Sequence, residues 1–149
     1  MGQCFCLGKE CEQGDVMALF LEDTDRRMQR RIDKMLGVQK VPWPEKLCYA
    51  TAFPRMDQGG LDMLYLWAKE AERPRLIIID LWERFRPPIN GKDSKYSVDY
   101  QDLARVQKMF AAEFPKLGIL VSNHQRKAAA EDIFDTISGT LGLNGGADT

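Results

Sequence analysis

The run Leu76-Ile77-Ile78-Ile79-Asp80 most constrains what this chain can fold into. Four aliphatic residues, three of them β-branched, follow one another with no polar alternation and end in a carboxylate. That pattern predicts a strand buried on both faces, as in a parallel sheet covered by helices. In open α/β sheets, ligands bind beyond the carboxyl ends of the strands, so Asp80 is delivered to the place where a crevice forms. An aspartate there can hold Mg²⁺ and its water against a nucleotide phosphate, or it can cap the next turn.

The rest of the chain alternates strand-like and helix-like stretches. Val16 to Leu21 is a second apolar run, ending in Glu22-Asp23. Thr24 or Asp25 can cap a helix from about Arg26 to Leu36, closed by Gly37. Pro42 and Pro44 bracket Trp43 in a connector, and Leu47 to Phe53 has β character. After Gln58-Gly59-Gly60, the residues Leu61, Leu64, Tyr65 and Ala68 share one face of an amphipathic helix, Leu61 to Glu72, which Pro74 stops. Trp82 to Asp99 reads as a long polar loop, with Pro87-Pro88 and Asn90-Gly91, and long loops in compact domains are functional or disordered. A helix from about Val98 to Phe114 follows, ended by Pro115 and Gly118. The third strand is Ile119 to His124, and the end from Ser138 to Thr149 is Gly-rich.

This alternation predicts an α/β fold, a mainly parallel sheet with right-handed crossovers. In one parallel sheet, Glu22, Asp80 and Asn123-His124 end on a shared edge, and that convergence predicts a nucleotide crevice. A Rossmann-type oxidoreductase is excluded by the lack of G-x-G-x-x-G after the first strand, and no Ser-His-Asp arrangement is evident.

Charge and cysteines narrow the class. The 21 lysines and arginines face 22 acids, so bulk charge attracts neither nucleic acid nor membrane, and any such binding needs a local patch. The longest apolar runs are strand-sized, below the roughly 18 residues of a membrane helix, so a soluble, cytoplasmic chain is expected. Cys4, Cys6 and Cys11 match no zinc spacing, and the sole histidine is His124. Reduced thiols are expected. Cys6 stands where an acylation signal has Ser or Thr, and the start has no secretory pattern.

Several stretches then carry a resemblance. In order they are Leu19-Phe20-Leu21-Glu22-Asp23, Arg26-Arg27 with Gln29-Arg30-Arg31, Asp57-Gln58-Gly59-Gly60-Leu61, Arg75 to Asp80 with Arg84-Phe85-Arg86-Pro87-Pro88, His124 to Ala130, and Asp135 to Gly142. Together they resemble the RecA-like ATPases of phages and plasmids, AAA-domain relatives of the hexameric plasmid replicative helicase. The resemblance runs from about Gly8 to the last residue. It implies that Asp80 is the Walker B aspartate, binding Mg²⁺ through water, and that Glu22 polarises the water attacking ATP. The reading of Glu22 from its neighbours alone leaves a helix-capping acid open. The resemblance also implies that Asn123 and His124 sense the γ-phosphate, where the family usually has two histidines. Arg126 and Lys127 would reach a neighbouring subunit's nucleotide in a homo-oligomeric ring, although relatives carry the finger arginine where this chain has Ser138.

Single-stranded DNA is the implied partner, with the segment Pro87 to Asp99, including Lys92, Lys95 and Tyr96, as the expected contact in the ring's channel. The row Arg26, Arg27, Arg30, Arg31 and Lys34, interleaved with Asp33, is expected to be a solvated face rather than a DNA track.

The family's P-loop, G-x-x-x-x-G-K-[ST], is missing. Glu10 follows Gly8-Lys9 where Ser or Thr belongs, Gln3 replaces the first glycine, and no strand precedes. The chain is therefore expected to be an incomplete RecA-like core, without the P-loop strand and the C-terminal strands, and to expose Ile119 and Val121 at an unpaired edge. Two functions follow. One is a truncated or split DNA-dependent ATPase of mobile-element replication or recombination, inactive alone and awaiting a complementing ATPase fragment. The other is a non-enzymatic assembly or regulatory subunit, or a DNA-binding one, that keeps the fold.

Overall fold

The computed structural model describes residues 5–6, 8–89 and 95–124. A hairpin of β1 (Phe5–Cys6) and β2 (Lys9–Glu10) comes first. Then follow β3 (Asp15–Phe20), α1 (Asp25–Gln39), β4 (Leu47–Ala50), a 3₁₀ turn at Met56–Gln58, α2 (Gly60–Glu70) and β5 (Pro74–Asp80). The series closes with α3 (Trp82–Phe85), α4 (Lys95–Ala111) and β6 (Gly118–Val121). The last four strands form one all-parallel sheet in the order β4-β3-β5-β6. β5 is thus hydrogen-bonded on both sides, which is where an uninterrupted aliphatic run belongs.

Side chains of β5 alternate between two unequal environments. Ile77 and Ile79 are fully buried with Leu19, against Leu61, Leu64 and Ala68 of α2 and Val106 and Phe110 of α4. On the opposite face Ala18 is fully buried, and Met28 and Ile32 are the buried residues of α1. Ile78, beside Ala18 in register, is only half-buried, and its β6 neighbour Leu120 is 56 % exposed. Burial on both faces, expected from the sequence, therefore holds for one face only. The cause is the direction of the crossovers. The connection from β3 to β4 runs one way along the sheet, those from β4 to β5 and from β5 to β6 run the other way, and right-handedness sends α1 to one face and α2 and α4 to the other. Ile119 and Val121, expected to be exposed, pack against the α2–α4 core instead.

Three element boundaries also differ from expectation. Gly37 does not close α1, which runs on to Gln39. Lys40 adopts a left-handed conformation (φ 53°) and the Val41 N–H bonds the Leu36 carbonyl at 3.2 Å. Pro74 opens β5, a strand position that needs no donor. Both ends of the expected long polar loop are helical instead: Trp82 and Phe85 of α3 are fully buried, and α4 begins at Lys95. The paired glycines before α2 have a backbone explanation. Gly59 has φ 89°, and a side chain on Gly60 would strike the Pro54 carbonyl.

β6 is an edge strand among the described residues, with no charge or proline in Gly118-Ile119-Leu120-Val121 to discourage pairing. Concentration-dependent association in sedimentation velocity is therefore expected, together with its loss in Leu120→Lys. A wild type that stays monomeric across the micromolar range contradicts this.

Candidate functional site

Backbone hydrogen bonds bring three strand ends side by side. The Leu21 N–H donates to the Asp80 carbonyl, the Ser122 N–H to the Ile79 carbonyl at 2.9 Å, and the Trp82 N–H to the Ser122 carbonyl at 2.9 Å. Glu22, Asp80 and Asn123-His124 therefore leave the sheet together, as the strand pattern implied. Glu22 lies between two cations or potential cations. Its Oε2 is 3.5 Å from His124 Nε2 and its Oε1 is 3.8 Å from Arg84 Nε. All three side chains are open to water, so the pairs contribute little stability, about 0–1 kcal/mol each, and leave the carboxylate accessible. Half-buried Asp80 pairs in register with Phe20 and shares its sheet face with Ile78 and Leu120. The peptide bond that follows it is cis.

Neighbouring acids have other work, which separates Glu22 from them. Thr24 caps α1, its hydroxyl accepting from the Arg27 N–H at 3.4 Å. Asp23, almost fully buried, accepts from Arg27 Nε and from Arg31 Nη1, the latter at 2.7 Å. Asp25 accepts from the Thr51 hydroxyl. The helix-capping alternative for Glu22 thus falls to Thr24. Turn-capping by Asp80 also fails, since α3 has Leu81 at its N-cap and no side-chain cap hydrogen bond.

Arg84 is the residue that sequence reasoning quoted but gave no role. With Trp82 to Asp99 read as loop, nothing fixed its direction. In the fold, α3 turns its aromatic residues inward and is clamped from two sides. Arg55 Nη1 donates to the carbonyls of Glu83 at 3.1 Å and Arg86 at 2.6 Å. Arg86, with 8 % of its side chain exposed, lies 3.5 Å from Asp99 of α4, which is 1 % exposed. Arg55, Arg86 and Asp99 fix the α3 turn that carries Arg84.

The remaining expected site residues divide in two. Arg126, Lys127 and Ser138, with Lys92 of the expected DNA segment, lie outside the described residues. Lys95 and Tyr96 open α4, and Asp99 is buried in it, so that end of the expected DNA loop is helical. Gly8, at φ 77°, turns the β1–β2 hairpin and is followed by β2, so Gly8-Lys9 opens no helix onto a phosphate. Cys11 and Cys48 are free thiols. Among the described residues no three His, Cys, Asp or Glu side chains gather as a metal site, and no helix is long and apolar enough to cross a membrane. Scans against protein-family models, curated proteins and solved structures give no match to the chain.

Asp102, one turn beyond Asp99, has its carboxyl pKa raised, first by burial, with Arg86 pulling it down and Asp99 pushing it up. A raised folded-state pKa means the ionised carboxylate costs stability at neutral pH; the cost fades as pH falls through the raised folded pKa and is gone below the unfolded value of about 3.9. Asp102→Asn should therefore melt above the wild type at pH 7, with the two curves converging near pH 3. A lower melting temperature for the variant at pH 7 contradicts the assignment.

Proposed function

We propose that this chain is the metal-facing and γ-phosphate-facing part of a RecA-like, DNA-dependent ATPase, of the helicase-like kind that serves replication or recombination of mobile elements. One observation carries the reading. Glu22 and His124, remote in sequence, meet at 3.5 Å beside the Asp80 strand end, on the edge of a parallel sheet where ligands bind.

The residues fit part of what such an enzyme holds. Mg²⁺ uses one or two carboxylates and completes its shell with water and phosphate oxygens, so a single half-buried Asp80 suits it. When bound, the metal would neutralise charge on the phosphates. Glu22 would orient a water and accept its proton, with His124 and Arg84 at 3.5 and 3.8 Å from its two oxygens. The residues do not fit the phosphate chain itself, because the sequence has no G-x-x-x-x-G-K-[ST] and Gly8-Lys9 sits in a hairpin. The chain alone is therefore inactive. Its uncharged β6 edge suits a complementing ATPase fragment or a neighbouring copy in a ring. That same edge, unpaired among the described residues, favours a second reading, a non-enzymatic assembly or regulatory subunit that keeps the fold.

Thermal shift with millimolar Mg²⁺-ATP distinguishes the two. The ATPase reading expects weak stabilisation, approaching about 2.7 kcal/mol only at 100 times the dissociation constant, and its loss in Asp80→Ala. No shift in a folded wild type, or an equal shift in Asp80→Ala, overturns it in favour of the non-enzymatic subunit.

A further inference from the structure

The charges of α1 run against its own dipole. Between Asp25 and Lys40 there are six cations and two acids, and four arginines crowd the first half, at positions 26, 27, 30 and 31. The first turn has one acid, Asp25, and the last turn has no base. Helix dipoles favour the reverse, acids early and bases late, so helix stability does not account for these arginines.

They fall into two sets. Arg27 and Arg31 are tied to Asp23 yet remain 63 % and 62 % exposed. Arg26, Arg30 and Lys34 are exposed and have no ion pair or hydrogen bond among the described residues. At four-residue spacing these three form one row, on the side of the helix opposite buried Met28 and Ile32. Within α1, Asp33 lies beside the row, and no salt bridge joins it to Arg30. The row spans about 12 Å, over which one nucleic-acid strand presents roughly three or four phosphates.

Against the sequence expectation of a merely solvated face, we propose that this face of α1 binds the phosphodiester backbone of a nucleic-acid strand, through Arg26, Arg30 and Lys34, with Arg27 and Arg31 on its flank. Charge complementarity selects the partner: an otherwise balanced chain of net charge −1 concentrates cations on one helix. A membrane surface fits less well, because Met28 and Ile32, the apolar residues beside the arginines, are buried, and the exposed Met35 and Val38 lie beyond the arginine-rich half. The surface goes beyond the nucleotide site and rests only on the nucleic-acid part of the function proposed above, and its test contains no ATP.

The test is fluorescence anisotropy of labelled oligothymidylate and oligouridylate with the full chain, from about 50 to 200 mM salt. Binding should weaken steeply with salt. Arg26→Ala/Arg30→Ala/Lys34→Ala should weaken it at least about tenfold and flatten the log–log salt dependence by about 2, at roughly 0.7 for each of three phosphates. Its melting temperature should stay at or above that of the wild type, since exposed alanines favour helix. Arg26→Lys/Arg30→Lys should retain binding. Unchanged affinity in the triple variant, absence of oligonucleotide binding by the folded wild type, or equal binding of polyglutamate or phosphatidylserine vesicles through the same residues overturns the proposal. A chain that binds oligonucleotide but gives no Mg²⁺-ATP shift keeps this surface and loses the ATPase. The opposite pair of results does the reverse.

Discussion

The arrangement depends on β5 lying between β3 and β6 with parallel ladders on both sides. Parallel pairing puts all the carboxyl ends at one edge, and the register Phe20–Asp80 and Ile79–Val121 aligns those ends to within a residue or two. Glu22 and His124 meet because of that alignment, not because of any local preference. A one-residue slip would turn every β5 side chain to the other face and take Ile77 and Ile79 out of the core.

Strands were legible in the sequence because unbroken aliphatic runs have few alternatives in a chain of this size. Asp15–Phe20, Pro74–Asp80 and Gly118–Val121 all lie where such runs stand. What each face of the sheet meets was not legible, since it depends on which way each crossover runs. The turn of α3 was hidden for a different reason. Glu83, Arg84 and Arg86 give the stretch a polar composition, yet Trp82 and Phe85, three residues apart, share the buried side of one turn. Gly37 misled because a glycine inside an exposed helix costs only about 1 kcal/mol, which the packing of Met28 and Ile32 can offset.

For the site, residue type and strand-end position pointed to Glu22, Asp80 and His124. Four consecutive residues, Glu22-Asp23-Thr24-Asp25, could each have capped a helix, and sequence alone could not sort them. The fold sorts them by reach: Thr24 takes the cap, Asp23 takes two arginines, Asp25 takes Thr51, and Glu22 faces the strand ends. The buried Arg86–Asp99 pair illustrates a related trade. Burying two charges costs about as much as their attraction returns, so its contribution is orientation, fixing α3 and with it Arg84, rather than stability.

The proposed ATPase reading requires a metal-borne nucleotide at the carboxyl edge of this sheet. Mn²⁺ in place of Mg²⁺, titrated with ATP into the isotope-labelled chain, tests it directly by paramagnetic broadening of amide resonances. Selective loss of signals from Leu21 to Asp23, Asp80 to Trp82 and Ser122 to His124 is expected. Broadening centred away from these three strand ends, or spread evenly over the surface, would contradict it.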